Sequence, residues 1–360
     1  MKKMKKKLFP LAMVLLLALC AGCGATGGAP AQSTPLNNGA EDGQGTAPDY
    51  VLKLGTHLNV GSIGDITSND FAGLLAEKTD DRVRVDVFPG AQLGQEFEAA
   101  EAVMIGSMDL TYVSTTAYND VVDGFAVDCL PFLFDSDEEF YYIFNESEVG
   151  EVLGSNMIDR GARILTWIPC GFRQMYFSDR EITSFTQIEG MKIRAPESML
   201  YLEMLRAIGA NPISVTWGET YSALQTGLAE GCECPYTSIT DANMQDVVKY
   251  GLITDHMILC QAVVINEALF QSFPSDIQQA VLDAGREAGE NAFARVKDQV
   301  ADARKKIEDS GVVLHELPDG ELEQLQERMA PVREKWIGDD PVRQEIVDLI
   351  LKVKEEYKAM

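Results

Sequence analysis

The feature that most constrains the fold is a pattern of alternating elements that occurs twice along the chain. "YVLKLGTHL" (50–58) predicts a first strand, "NDFAGLLAEKT" a helix, and the strictly alternating "RVRVDVFPG" (82–90) a second strand stopped by Pro89-Gly90. "QEFEAAEAVMIGSMDLTYVS" (95–114) then reads as a helix, a stop at Gly106 and a third strand. Strands separated by helices pair in parallel, so this order implies a largely parallel sheet. The second half repeats it: "MKIRA" as strand, "SMLYLEMLRAIGA" as a helix closed by Gly209, "ISVTW" as strand, and "GETYSALQTGLAEGCECP" (218–235) as helix, Gly227 stop and strand. The two helix-to-strand junctions match. In Gly106-Ser107-Met108-Asp109 and Gly227-Leu228-Ala229-Glu230, a Gly suited to a left-handed helix end is followed three residues later by an acid. The pattern implies two α/β lobes of related design, with coincidence as the alternative because Gly stops are frequent.

A second pattern says how the lobes connect. From Ile277, apolar residues fall at Val281, Ala284, Ala288, Ala292, Val296, Val300, Ala303 and Ile307, in steps of three or four. A single helix over 277–307 is roughly 45 Å long, longer than one small lobe is wide. It is expected to run along both lobes as a spine. The folded body, about residues 49–360, also exceeds the size at which chains usually split into two domains.

The N-terminus has a different character. Five lysines among residues 2–7 precede an apolar run from Leu8 to Ala21, the layout of a secretory signal. The run is shorter than the ~20 residues a permanent spanning helix needs. It ends in Leu19-Cys20-Ala21-Gly22-Cys23, which resembles a bacterial lipobox with Cys23 as the lipidated new N-terminus; Cys20 is an unusual residue at its position. A plain signal peptide with a chance Cys is the alternative. The next stretch, "GATGGAPAQSTPLNNGAEDGQGTAP" (24–48), has almost no bulky apolar side chain and reads as a flexible tether.

Charge and cysteines narrow the function classes. Removing the five leader lysines from a net charge of −26 leaves −31. A chain that acidic lacks the basic face nucleic acid requires, although a pocket can still hold local positive charge. The body carries Cys129, Cys170, Cys232, Cys234 and Cys260, an odd number with no C-x-x-C, so neither a thioredoxin motif nor a zinc ribbon is indicated. No metal site and no cofactor is expected. No H-E-x-x-H, G-x-S-x-G or phosphate-loop pattern occurs, and "DITSNDFAG" lacks the sixth-position Gly of an EF-hand loop. No catalytic residue is assigned, and His256 reads as a structural histidine.

In so acidic a chain the scarcer cations are more informative. Arg173 follows the apolar strand "RILTWIPC" and a Gly, and Arg194 ends "MKIR" before Ala195-Pro196 breaks the strand. Two arginines at strand ends can converge on one crevice, where open parallel sheets bind ligands, and the guanidinium fork matches a carboxylate. Salt bridges within an acidic protein are the competing reading, and the residues alone leave both open.

The run "GMKIRAPES…IGANPISVTWGETYSALQTGLAEGCECP…VVKYGLITDH", together with "GAQLGQE" and "GSMDLTYVS", resembles the DctP-type receptors of tripartite ATP-independent periplasmic (TRAP) transporters over about residues 50–315. The resemblance implies a two-lobed, periplasmic-binding-protein-like (type II) α/β fold with a hinge and a long helix across both lobes. It implies that Arg194 grips a ligand carboxylate, that Arg173 is a second cleft arginine, that Trp217 and Tyr221 line the pocket, and that His57 faces the ligand. Cys234 falls where the family usually has Asn, a departure that bears on which acid is bound. With that architecture the chain divides into a lipoprotein signal peptide (1–22), a tether (23–48), lobe I (49–170 plus about 259–298) and lobe II (171–258 plus about 299–360).

The resulting expectation is a receptor, not an enzyme. It is anchored outside the cytoplasm by lipidated Cys23, captures a small organic acid (dicarboxylate, sugar acid or other carboxylate), and delivers it to the small and large TRAP membrane subunits. The alternatives are a receptor of an ATP-driven (ABC) importer and a lipoprotein enzyme acting on an anionic substrate.

Overall fold

The structure is a computed structural model and describes residues 47–360; the leader, Cys23 and nearly all of the expected tether lie outside the described residues. In chain order it comprises β1 (Tyr50–Thr56), α1 (Ile63–Lys78), β2 (Val83–Phe88), α2 (Glu96–Met104), β3 (Leu110–Ser114), α3 (Asp137–Asn145), α4 (Glu148–Ile158) and β4 (Ala162–Phe177). There follow β5 (Lys192–Ala195), α5 (Met199–Ala207), β6 (Asn211–Ser214), α6 (Trp217–Gln225), β7 (Gly231–Pro235), α7 (Tyr236–Asp241), β8 (Tyr250–Ile253) and β9 (Ile258–Asn266). The chain closes with α8 (Glu267–Ser272), α9 (Ser275–Asp309), β10 (Val313–Glu316), α10 (Glu321–Ile337) and α11 (Pro341–Lys358).

The strands form two halves. Lobe I has the order β2-β1-β3-β9-β4, and lobe II places β6-β5-β7 on one side of β4 and β8-β10 on the other. The expected parallel pairs are present: β1 with β2 and β3, and β5 with β6 and β7. The antiparallel pairs all involve β4 or β9, the two strands the alternation does not announce.

β4 is the principal correction to the sequence reading. The apolar strand expected to stop at Cys170-Gly171 continues to Phe177, pairing with β9 in lobe I through its first part and with β7 and β8 in lobe II through its last. The register shifts between Pro169 and Phe172, and Gly171 there has φ of 91°, a left-handed backbone that side-chain-bearing residues avoid. Arg173 therefore lies inside a strand just past a bulge, not at a strand end. A second crossing, residues 254–257, leads from β8 in lobe II to β9 in lobe I.

The third crossing is α9, observed over Ser275–Asp309 against the expected 277–307. Its buried residues from Ile277 to Val296 belong to the lobe I core, whereas Ala303 and Ile307 belong to a lobe II core with β7, α6 and α7. It lies so close on β4 that a Cβ at Gly285 would come within 2.6 Å of Leu165 and one at Gly289 within 1.9 Å of the Thr166 hydroxyl. Beyond it, α10 packs on α5 while α11 packs on α3 and α4, so the C-terminal segment touches both halves. No helix of the described residues is long and apolar enough to cross a membrane.

Candidate functional site

The strands deliver their C-terminal ends to one crevice between the lobes, as parallel α/β sheets do. From lobe I, His57 follows β1, Glu96 opens α2, Ser114 ends β3, and Gln261 stands opposite Ser114 on β9. From lobe II come Arg173, Arg194 on β5, Trp217 at the start of α6, Cys234 on β7 and Ser238 on α7. Five of the six residues expected at the site, His57, Arg173, Arg194, Trp217 and Cys234, line this cavity. Tyr221 does not: it lies one helical turn beyond Trp217 and packs on the lobe II core with Ala223 and Leu224. Glu96, Ser114, Gln261 and Ser238 are lining residues that the sequence reading did not single out.

The cavity measures about 40 Å³, room for roughly three waters. A larger groove of about 560 Å³ lies between the residue 119–126 segment and α5, α10 and α11. Its cations are paired, Lys335 to Glu203 at 2.5 Å, Arg160 to Asp123 at 3.6 Å and Arg343 to Asp340 at 3.4 Å.

The two cavity arginines are in opposite states. Arg173 is buried, and its fork is taken by Glu233, which accepts from Nε and, at 2.9 Å, from Nη2; the Glu233 carbonyl also accepts from Nη2 at 2.8 Å. Glu233 is fully buried and has His256 Nε2 at 3.5 Å, while His256 Nδ1 lies 2.8 Å from the Thr254 hydroxyl. Burial alone would push the Glu233 carboxyl up; Arg173 and His256 outweigh it and hold it below the usual range. Burial likewise disfavours the Arg173 charge, and Glu233 more than restores it. The alternation on β7 makes this possible: Glu233 faces one side, Cys232 and Cys234 the other.

Arg194 is as buried, at 2 % exposure, but its one side-chain hydrogen bond among the described residues is from Nε to the Val215 carbonyl at 2.9 Å. Its guanidinium sits 5.5 Å from the Trp217 ring centroid. Burial holds its pKa below the ordinary value, with Glu233 pulling the other way and Arg173 adding to the fall. A buried guanidinium without a carboxylate partner is costly to keep charged.

Across the cavity, Glu96 accepts from the Ser114 N–H at 3.2 Å and lies 3.8 Å from His57 Nε2. Burial lowers the His57 pKa, opposed by Glu96 and assisted by Arg194, so the imidazole is neutral at pH 7; its Nδ1 has no protein partner. The Cys234 thiol is buried and pushed well above its usual pKa by burial first, so it stays a neutral, weak hydrogen-bonding group. Among the described residues no cluster of three His, Cys, Asp or Glu side chains could hold a metal ion.

The sequence profile of bacterial extracellular solute-binding protein family 7, the DctP family, matches residues 55–339. The chain belongs to this family. It is a TRAP-type solute receptor. The C4-dicarboxylate-binding periplasmic protein DctP of Rhodobacter capsulatus is 29% identical over 264 residues, 72% of this chain and 79% of that protein. A TRAP periplasmic solute-binding protein of Roseobacter denitrificans with bound β-D-glucuronate superposes with a TM-score of 0.80 at 27% identity, covering 83% of this chain and 98% of the other. A second from Roseobacter denitrificans, with bound L-galactonate, gives 0.78 at 26% identity, covering 84% and 99%. These relatives are two-lobed solute-binding components of transporters; the reading as an ATP-driven importer's receptor has no support among them.

Proposed function

We propose that this receptor captures a hydroxylated monocarboxylate, an acid of the uronate or aldonate kind, and hands it to the TRAP membrane subunits. The observation that carries this reading is the contrast in the cavity: Arg173 is satisfied by Glu233, whereas Arg194 is buried and lacks a carboxylate. The ligand carboxylate supplies the missing partner and accepts two parallel hydrogen bonds from the fork.

The opposite wall decides what the rest of the ligand looks like. Glu96 accepts hydrogen bonds and repels a second carboxylate, and Gln261 and the Ser114 hydroxyl add polar capacity. This wall suits hydroxyl groups and disfavours a dicarboxylate. Leu58, Pro196, Leu259 and Cys234 offer the ligand no strong hydrogen bond. A cavity of about 40 Å³ does not admit a six-carbon acid, so binding requires the lobes to part and reclose about the crossings at Gly171, residues 254–257 and α9.

Calorimetry with D-glucuronate, L-galactonate and succinate tests the reading. The hydroxylated monocarboxylates should bind at one equivalent and return unchanged, and succinate should bind at least tenfold more weakly. Preference for succinate removes the role given to Glu96, and conversion of a bound acid revives the enzyme reading. Attachment through Cys23 is part of the same proposal, because two acyl signals make anchoring stable. Mass spectrometry of membrane-derived protein should find diacylglycerol on Cys23, and a free N-terminus further along means simple secretion.

A further inference from the structure

The lobes also meet directly behind the cavity wall. Past β3, one turn of 3-10 helix (Thr115–Tyr118) and the two residues after it lie against the first turn of α5 in lobe II. Asn119 Nδ2 donates to the Ser198 hydroxyl at 3.4 Å, and Asp120 accepts from the Met199 N–H at 3.1 Å. Deeper in, the Thr116 hydroxyl lies 3.1 Å from that of Tyr201. Thr116 lines the cavity, whereas Tyr201 is fully buried and has the Arg173 guanidinium 5.1 Å from its ring centroid.

The hydroxyls here form a chain with one consistent direction. Ser114 Oγ accepts from the Thr116 N–H at 3.1 Å and donates to Thr116 Oγ1 at 2.8 Å. The Tyr201 hydroxyl donates to Cys129 Sγ at 3.6 Å, which leaves its oxygen free to accept. Each hydroxyl has one proton, so Thr116 accepts from Ser114 and donates across the lobes to Tyr201. The Ser114 proton is thereby held within the wall, and Ser114 Oγ keeps only a lone pair for a ligand. Glu96, which takes the Ser114 N–H at 3.2 Å, is an acceptor as well.

We propose that Tyr201 is a positioning residue for ligand selection: on closure its hydroxyl meets Thr116 and fixes Ser114 as an acceptor, so that the lobe I wall favours ligand hydroxyls over a second carboxylate. This rests on the hinged capture of a hydroxylated acid proposed above and adds what sets the polarity of its wall. Without the Tyr201 oxygen, the Thr116 proton turns to Ser114 Oγ, 2.8 Å away, rather than to the weaker acceptor Cys129 Sγ at 3.8 Å. The Ser114 proton then swings into the cavity and offers a donor to a second carboxylate.

Calorimetry on the full chain, Tyr201→Phe, Thr116→Val and the double variant tests this. Phe keeps the ring beside Arg173, and Val keeps the branched shape of Thr. Each single variant should bind D-glucuronate roughly fivefold more weakly. The double variant should fall no further than about tenfold, because both changes remove the same bond; independent roles would multiply to roughly 25-fold. Succinate should lose less than D-glucuronate in both single variants, since both free the Ser114 proton, and the gap between the two acids should narrow at least about threefold. Multiplying losses, or an unchanged gap in both single variants, overturn the proposal. A role confined to packing would lower the melting temperature of the ligand-free Tyr201→Phe chain and leave the gap unchanged. Preference of the parent chain for succinate counts against the proposed ligand class instead, and the coupling between Tyr201 and Thr116 is then read with succinate.

Discussion

Arg173 and Arg194 stand in the same cavity, at 4 % and 2 % exposure, and have different partners. Arg173 meets Glu233, with His256 behind it, and these three side chains tie the hinge strand β4, the crossing at residues 254–257 and β7 into one unit. Arg194 has a backbone carbonyl and an aromatic ring and nothing of opposite charge at contact distance among the described residues. A buried ion pair whose members satisfy each other belongs to the architecture, whereas a buried cation left incomplete stores a preference for whatever anion arrives. Residue type and burial do not separate the two; the partner does.

The comparison breaks most visibly at Arg173. Arg173→Ala strands a fully buried carboxylate, which costs on the order of 3–5 kcal/mol, and melting should fall by roughly 10 °C. Next comes Arg194→Ala, which should weaken binding of D-glucuronate by at least about a hundredfold, or ~2.7 kcal/mol, with melting unchanged or raised. Calorimetry and a thermal scan on both variants decide whether one residue serves structure and the other binding; matching profiles erase the distinction. Arg194→Lys should recover only part of the affinity because an ammonium lacks the fork.

Smaller effects sharpen it. Glu96→Gln should narrow the gap between succinate and D-glucuronate by about tenfold, on the order of 1.4 kcal/mol, as read by paired titrations. Glu233 is held below its usual pKa, so its contribution is complete above about 4.5 and lost as pH falls through the lower folded value. Stability measured against pH should therefore drop more steeply below 4.5 in the parent chain than in Glu233→Gln. Least of all, iodoacetamide should label Cys234 in the free protein and be blocked by saturating D-glucuronate, while Cys129, Cys170 and Cys260 react slowly in both. Equal labelling of Cys234 with and without ligand removes it from the cavity wall.

The sequence disclosed those parts of the molecule that obey local rules. The helix-Gly-strand junctions at Gly106 and Gly227 and the apolar stripe of α9 depend on neighbours three or four residues away, and they were legible to within two residues in the case of α9. β4 was not, because Gly171 looks like a strand terminator when it is a bulge within a longer strand. The Arg173–Glu233 pair spans sixty residues of chain, and among 56 acidic residues nothing local marks Glu233 or Glu96 as special. Tyr221 lies outside the cavity lining for a related reason: Trp217 and Tyr221 share a helix face by spacing and both pack on the lobe II core, but of the two only Trp217, in the first turn of α6, also lines the cavity.

The close seating of Gly285 and Gly289 on β4 has a mechanical consequence. With no room for even one carbon between α9 and Leu165–Thr166, the front of the helix cannot slide or roll on lobe I, while Ala303 and Ile307 are embedded in lobe II. Any swing of one half against the other must flex the short span between Val296, the last buried helix residue in the lobe I core, and Ala303, the first in the lobe II core. The helix then acts as a leaf spring bolted at one end, and its bending stiffness, as much as any contact in the crevice, sets how far the mouth gapes and how quickly it snaps back.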